Sequence, residues 1–165
     1  LGDIHLEEVH GELTVRRGTA VTVGAVHGGF VGRDFDGALT VNEVNGDLNM
    51  RNTGGLQIGT VHGDIRGRNI NGAVTVGQGY GDIILSTVNE SVSITTCLRD
   101  VNLKNVAGQV LVEKVEGDIR LYDSLGSGKH HLTAAGDVIV RWPANAPLQL
   151  TATAPEVTTR LPLTA

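Results

Sequence analysis

The sequence is short of aromatic residues, proline and cysteine. Aromatic side chains make up 3% of the 165 residues, so a core would have to be built from valine, leucine and isoleucine, which favour strands. The single cysteine, Cys97, excludes an internal disulfide. Only 4 prolines accompany 23 glycines, which indicates many tight turns rather than disorder. The length and the 40% of hydrophobic residues predict one domain with a buried core.

Several protein classes are excluded by what the sequence does not contain. The formal net charge of -5 gives no overall basic excess, so we expect no nucleic-acid partner. No apolar run is long enough to span a membrane, and no helical periodicity of useful length occurs. The chain starts at Leu1 without a charged and then apolar leader, which predicts a mature or excised chain.

A repeat of eight or nine residues runs through most of the chain. Counting Gly63 as the first position of a unit, the third position is apolar in every unit, and the fifth is apolar except at Gly32 and Gly67. The eighth position is usually apolar as well. The units begin at residues 2, 11, 19, 28, 37, 46, 54, 63, 72, 81, 90, 99, 108 and 117.

This repeat predicts an all-β fold. Apolar residues two positions apart lie on one face of a strand, and glycine permits a tight corner, so each unit reads as one strand and one corner. Acidic residues follow the first position mainly in every second unit, so equivalent positions recur about every 18 residues. We therefore predict a single-stranded parallel β-solenoid (β-helix) with about 18 residues per coil and two main faces. Residues 1–140 would form the repeats, and 141–165 a C-terminal closing coil or cap.

Stacking of the coils would place the acidic residues in a row along one corner of the solenoid. Two carboxylates about 4.8 Å apart repel each other by roughly 1 kcal/mol in water. Backbone N–H groups in each corner could offset this repulsion, as in Asx-type turns, and so could a row of bound cations such as calcium. The row contains Glu12, Asp47, Asp64, Asp82, Asp100, Asp118 and Asp137.

Histidines occupy the position just before the corner glycine. His10, His27 and His62 share this column with Asn45 and Tyr80. Imidazole and carboxylate ligands suit transition metals, whereas stacked corner histidines also occur as solvated turns. The sequence assigns no catalytic residue, no cofactor and no definite metal site. Its candidate cation or ligand edge consists of Asp47, Asp64, Asp82, Asp118, His10, His27 and His62.

The repeated Gly-Asp-Ile/Val-x-Leu/Val phrases and the late GDVIVRWPANAPLQLTATA segment resemble a putative-adhesin-like β-solenoid family of bacterial domains of unknown function. The resemblance implies a non-enzymatic binding or scaffolding module at the cell envelope or surface. Its partner would be a protein or a cell-envelope polymer. Bactofilins, which polymerise end to end, are the next most similar family, so self-association is the alternative. A polysaccharide-active β-helix enzyme is the weaker alternative, with Asp64 and Asp82 as its test positions.

Overall fold

The computed structural model describes residues 2–126, 128–141 and 149–160, and these are built entirely from strands and turns. No helix in the described part of the chain could cross a membrane. The strands are β1 (Ile4–Val9), β2 (Leu13–Gly18), β3 (Val21–Val26), β4 (Phe30–Phe35), β5 (Leu39–Val44), β6 (Leu48–Thr53), β7 (Leu56–Val61), β8 (Ile65–Ile70), β9 (Val74–Gly79), β10 (Ile83–Val88), β11 (Val92–Cys97), β12 (Val101–Val106), β13 (Val110–Val115), β14 (Ile119–Leu125), β15 (Lys129–Ala134), β16 (Val138–Arg141), β17 (Gln149–Thr153) and β18 (Val157–Arg160).

The strands form a parallel β-solenoid, as the repeat predicted. The nine odd-numbered strands make one sheet and the nine even-numbered strands make the other. Ile65 pairs with Ile83, which in turn pairs with Val101, so one coil takes eighteen residues here. The first fourteen strands all begin at the third position of a sequence unit. This agreement confirms the predicted fold class and coil length.

The core lies between the two sheets and is filled by aliphatic side chains. In β2 to β13 the first, third and sixth residues point inward, as in Val92, Ile94 and Cys97 of β11. The two glycines that interrupt the apolar pattern are covered by neighbouring large side chains. A β-carbon at Gly32 would overlap Met50 and Phe35, and one at Gly67 would meet Ile70 and Leu85. Small and large residues therefore compensate each other between adjacent coils.

The even-numbered strands bend at their fifth residue, which the sequence analysis did not anticipate. Each of these residues in β2 to β14 has a φ between 53° and 66°, in the left-handed region. Asparagine and aspartate tolerate this conformation better than other non-glycine residues, and they hold five of the seven positions. Asn52 donates to Asp34 (2.7 Å) and Asn69 donates to Asn52 (3.0 Å), so part of the column is a hydrogen-bonded row. The column contains Arg17, Asp34, Asn52, Asn69, Thr87, Asn105 and Asp123.

Thr87 is the one β-branched residue of this column, and its φ is 60°. We expect Thr87→Asn to stabilise the fold by about 0.5–1 kcal/mol, because asparagine adopts the left-handed region at lower cost than a β-branched residue. The asparagine would also stand in register between Asn69 and Asn105. Urea unfolding measures the gain. The control is Thr75→Asn in β9, which is exposed and has no positive φ. Equal effects of the two substitutions would contradict the role given to backbone conformation.

The last coils continue both sheets with a change of spacing. The pairing of β12 with β14 shifts between Lys104 and Val106, and β13 with β15 shifts between Val112 and Val115. This is the region where the sequence repeat loses its regularity. In the predicted closing coil, β17 pairs with β15 and β18 pairs with β16. Residues 142–148 and 161–165 of that segment lie outside the described residues, so the division at residue 140 stays a prediction.

Candidate functional site

The predicted acidic row lies along the corner that follows the odd-numbered strands. In this row, which we call the aspartate ladder, the Oδ1 atom of one residue accepts the backbone N–H of the next aspartate, one coil further on. The donor-to-acceptor distances are 2.8 Å for Asp64 to Asp47, 2.9 Å for Asp82 to Asp64, 3.2 Å for Asp100 to Asp82, 2.9 Å for Asp118 to Asp100 and 2.8 Å for Asp137 to Asp118. Backbone donors therefore satisfy the carboxylates, but from the next coil rather than from their own corner.

The Gly-Asp phrase is explained by the close approach of the coils at this corner. A β-carbon on Gly81 would lie 2.5 Å from Asp64 Oδ1 and 2.5 Å from the Gly63 carbonyl oxygen. Glycine precedes four of the five donating aspartates and leaves this space to the carboxylate of the preceding coil. The exception is Arg99 before Asp100, where the hydrogen bond is the longest of the five, at 3.2 Å. Glycine and aspartate thus recur together because one makes room for the hydrogen bond that the other accepts.

Arginine side chains neutralise much of the ladder from outside. Arg66 contacts Asp64 at 2.8 Å and Asp47 at 3.8 Å. Arg120 contacts Asp118 at 2.8 Å and Asp100 at 3.1 Å. Backbone and guanidinium donors together offset the repulsion expected between stacked carboxylates, so the geometry accounts for the row without a bound cation.

Asp100 shows this effect most clearly. The N–H of Asp118 and, secondarily, the guanidinium of Arg120 hold the pKa of the Asp100 carboxyl below its ordinary value, against the opposing effect of partial burial. A carboxyl whose pKa is lower in the folded state stabilises the fold above its unfolded pKa, and this contribution is lost as pH falls through the folded pKa.

We therefore expect Asp100→Asn to destabilise the protein near pH 6, and the difference from the wild type to disappear as the pH falls through the lowered pKa of Asp100. The asparagine oxygen can still accept the Asp118 N–H, so the comparison isolates the charge. Urea midpoints at several pH values measure the effect. The control is Glu113→Gln on β13, which removes an exposed carboxylate with no ion pair among the described residues. A pH-independent difference for Asp100→Asn would contradict this interpretation.

The histidine column forms two stacked pairs. The His10 and His27 rings lie 5.1 Å apart at 11°, and His62 stacks on Tyr80 at 4.7 Å and 15°. His27 Nε2 contacts Glu8 at 2.7 Å and His62 Nε2 contacts Glu43 at 3.2 Å. The sequence analysis missed both glutamates. Their signal was available: in each pair the glutamate precedes its histidine by nineteen residues, one coil and one position.

Glu8, His10 and His27 are the described residues that come closest to a metal site. Their ligand atoms all lie within 4.8 Å of one another, and all three side chains are exposed. Two imidazole nitrogens on one zinc ion, each about 2.1 Å from it, can be at most about 4.2 Å apart. Ligand atoms within 4.8 Å of one another would need at most a small approach to reach this spacing. In the structure, the His27 hydrogen bond and the charge of His10 instead lower the pKa of Glu8.

The structure thus places the predicted residues along one corner but in separate groups. Asp47, Asp64, Asp82 and Asp118 lie in the continuous ladder. His10 and His27 are adjacent, and Asn45 bonds to His27 at 3.2 Å on the side that faces His62. The Oδ1 atoms of the ladder from Asp47 to Asp118 already accept backbone hydrogen bonds.

The family model described as Toastrack DUF4097 matches residues 21–161, so the chain belongs to this family of domains of unknown function. The match confirms the resemblance to a β-solenoid family that the Gly-Asp phrases indicated. No curated protein and no solved structure matches the chain.

Proposed function

We propose that this Toastrack domain is a non-enzymatic, adhesin-like binding or scaffolding module of the cell envelope or cell surface. The supporting observation is the register of the two sheets, which is unbroken from β1 to β13. Because successive strands of a sheet pair without offset, each outward position repeats as a straight row along the solenoid. From β1 to β14 the connections are two or three residues long. Long rows of side chains on a rigid surface suit an extended partner better than a small molecule.

The partner we propose is a cell-envelope polymer or a protein. Biosensor binding to purified envelope polymers, both neutral and acidic, tests the polymer case: we expect saturable binding to at least one of them by the folded protein. The enzyme alternative is tested on the same polymers. Chain shortening by the wild type that is lost in Asp64→Asn and Asp82→Asn would overturn the non-enzymatic proposal, and unchanged chain length is the expected result.

Self-assembly through the ends of the solenoid is the second candidate. It is favoured by the edge strands that the described residues present, with β1 and β2 at one end and β17 and β18 at the other. Parallel edge strands can pair with a second copy. Light scattering on a size-exclusion column over a wide concentration range tests this candidate. A mass that rises with concentration would support end-to-end assembly, and a constant mass would exclude it.

A further inference from the structure

The even-numbered sheet carries most of the positive charge of the protein. Its nine strands hold ten of the 13 lysines and arginines but only two of the 18 acidic residues, Asp34 and Asp123. These strands therefore have a net charge of +8 in a chain whose total is -5, which leaves -13 for the rest. One face of the protein is therefore strongly basic although the net charge of the chain is negative.

Four arginines form a straight row on this face. Arg16, Arg33, Arg51 and Arg68 are the fourth residues of β2, β4, β6 and β8, and each pairs in register with the next. We call this set the arginine row. With about 4.8 Å between parallel strands, it extends roughly 14 Å along the solenoid axis.

The arginine row lacks carboxylate partners. All four side chains are exposed, and no carboxylate of the described residues lies within 4 Å of them. By contrast, Arg66 and Arg120 contact the aspartate ladder, and Lys104 contacts Asp123 at 3.3 Å. Like charges directly opposite each other on adjacent strands repel. The row is therefore a set of unneutralised cations at a regular spacing.

A shallow groove of about 210 Å³ runs beside the row. One wall is formed by Arg33, Arg51 and Arg68, and the other includes the aliphatic side chains of Val31 and Ile84. Guanidinium groups bind carboxylates and sulfates through two parallel hydrogen bonds, while aliphatic side chains can contact the apolar face of a sugar ring. The lining residues belong to β4, β6, β8 and β10, so the groove extends across four neighbouring strands of the sheet.

We propose that the arginine row binds a linear acidic polysaccharide laid along the solenoid axis. This inference rests on the proposed binding function and specifies its ligand class. It also gives a role to the apolar residues of this face, because Val31 and Ile84 line the same groove.

Two other polyanions fit the surface less well. Single-stranded nucleic acid is held by base stacking on aromatic side chains, and no aromatic residue lines the groove. A flat anionic membrane would also meet the flanking carboxylates: Asp34 lies next to Arg33 in the chain, and Asp47 and Asp64 lie beside Arg66. A narrow basic strip between acidic flanks is complementary to a single polymer chain.

Calorimetric titration of the whole chain with polygalacturonate oligomers tests the proposal at about 0.15 M NaCl, where surface charges are substantially screened. The fully methyl-esterified oligomers are the ligand control, because they have the same backbone without the charge. The test variant combines Arg33→Gln, Arg51→Gln and Arg68→Gln. The matched control combines Arg99→Gln, Lys114→Gln and Lys129→Gln, which changes the net charge equally at exposed sites outside the even-numbered sheet.

We expect the wild type to bind the acid form but not the ester, the test variant to bind at least about tenfold more weakly, and the control to stay within about twofold. If both triple variants are folded by circular dichroism and bind the acid form equally well, the arginine row is not the binding site. Tighter binding of poly(dT) or of phosphatidylglycerol vesicles would overturn the polysaccharide assignment. If the wild type binds a neutral polymer and the test variant binds it equally well, the proposed binding function stands and the assignment of an acidic polysaccharide to the arginine row is overturned. If the wild type binds no polymer, both the proposed polymer-binding function and the inference about the arginine row are overturned.

Discussion

Replacing Gly81 with alanine is expected to destabilise the fold by about 1–3 kcal/mol, the usual cost of overpacking, because the added methyl group must displace the neighbouring coil. The new β-carbon would lie 2.5 Å from the Gly63 carbonyl oxygen and 2.5 Å from Asp64 Oδ1. Both atoms must shift to make room, as at Arg99 one coil further on, where the hydrogen bond from the Asp100 N–H to Asp82 is 3.2 Å long. The carbonyl belongs to the backbone of the preceding coil, and the carboxylate oxygen accepts the N–H of Asp82.

The matched control is Gly11→Ala, at the same corner position of the first described coil. A β-carbon there has nothing within 4 Å, because no earlier coil lies against it. Alanine also has less conformational freedom than glycine in the unfolded chain, so this substitution should be neutral or stabilising by up to about 1 kcal/mol. Urea unfolding of the two variants compares one chemical change with and without a neighbouring coil.

Equal losses of stability in both variants would contradict the explanation by coil contact. They would show instead that alanine is unsuited to the corner itself. A large loss in Gly81→Ala alone would establish that the spacing of the coils selects glycine at this position. It would also explain why the Gly-Asp phrase is so regular in the middle of the chain.

Most of the fold could be predicted from the sequence because each coil repeats the same requirements. Position three faces the core in every unit, so Leu48, Ile65 and Ile83 carry the signal together although each alone is weak evidence. The bend of the even-numbered strands was harder to predict. Its residues range from Arg17 to Thr87, and their common property is a φ angle rather than a side-chain type.

The candidate site was predictable as a row but not as a set of contacts. The spacing placed Asp64 above Asp47, yet it could not show that the hydrogen bond runs to the N–H of the next coil. His130 illustrates the same difficulty where the repeat is irregular. It is 1% exposed, accepts the Val110 N–H at 3.1 Å and lies 2.9 Å from the Gly126 carbonyl oxygen. A histidine replaces aliphatic packing there, and no periodicity indicates it.

The second large loss of stability is expected in the core. Leu103 on β12 is 0% exposed and lies in the middle of the even-numbered sheet. Leu103→Ala removes buried methyl groups and leaves a cavity, and we expect a loss of about 3–4 kcal/mol in the free energy of unfolding. The control is Leu111→Ala on β13, the next strand in the chain, where the leucine points outward and is 38% exposed. That change should cost less than about 1 kcal/mol.

Position along the solenoid should matter as much as burial. Each coil contacts only its neighbours, so a weakened central coil divides the array into two parts that stabilise each other less. We expect Leu103→Ala to broaden the urea transition as well as shift it. Leu6→Ala in the first coil, where the leucine is only partly buried, should loosen that end and leave the remaining coils folded. Hydrogen exchange, read strand by strand, distinguishes these outcomes. Uniform loss of protection in both variants would show that the solenoid unfolds as one cooperative unit, whichever coil is damaged.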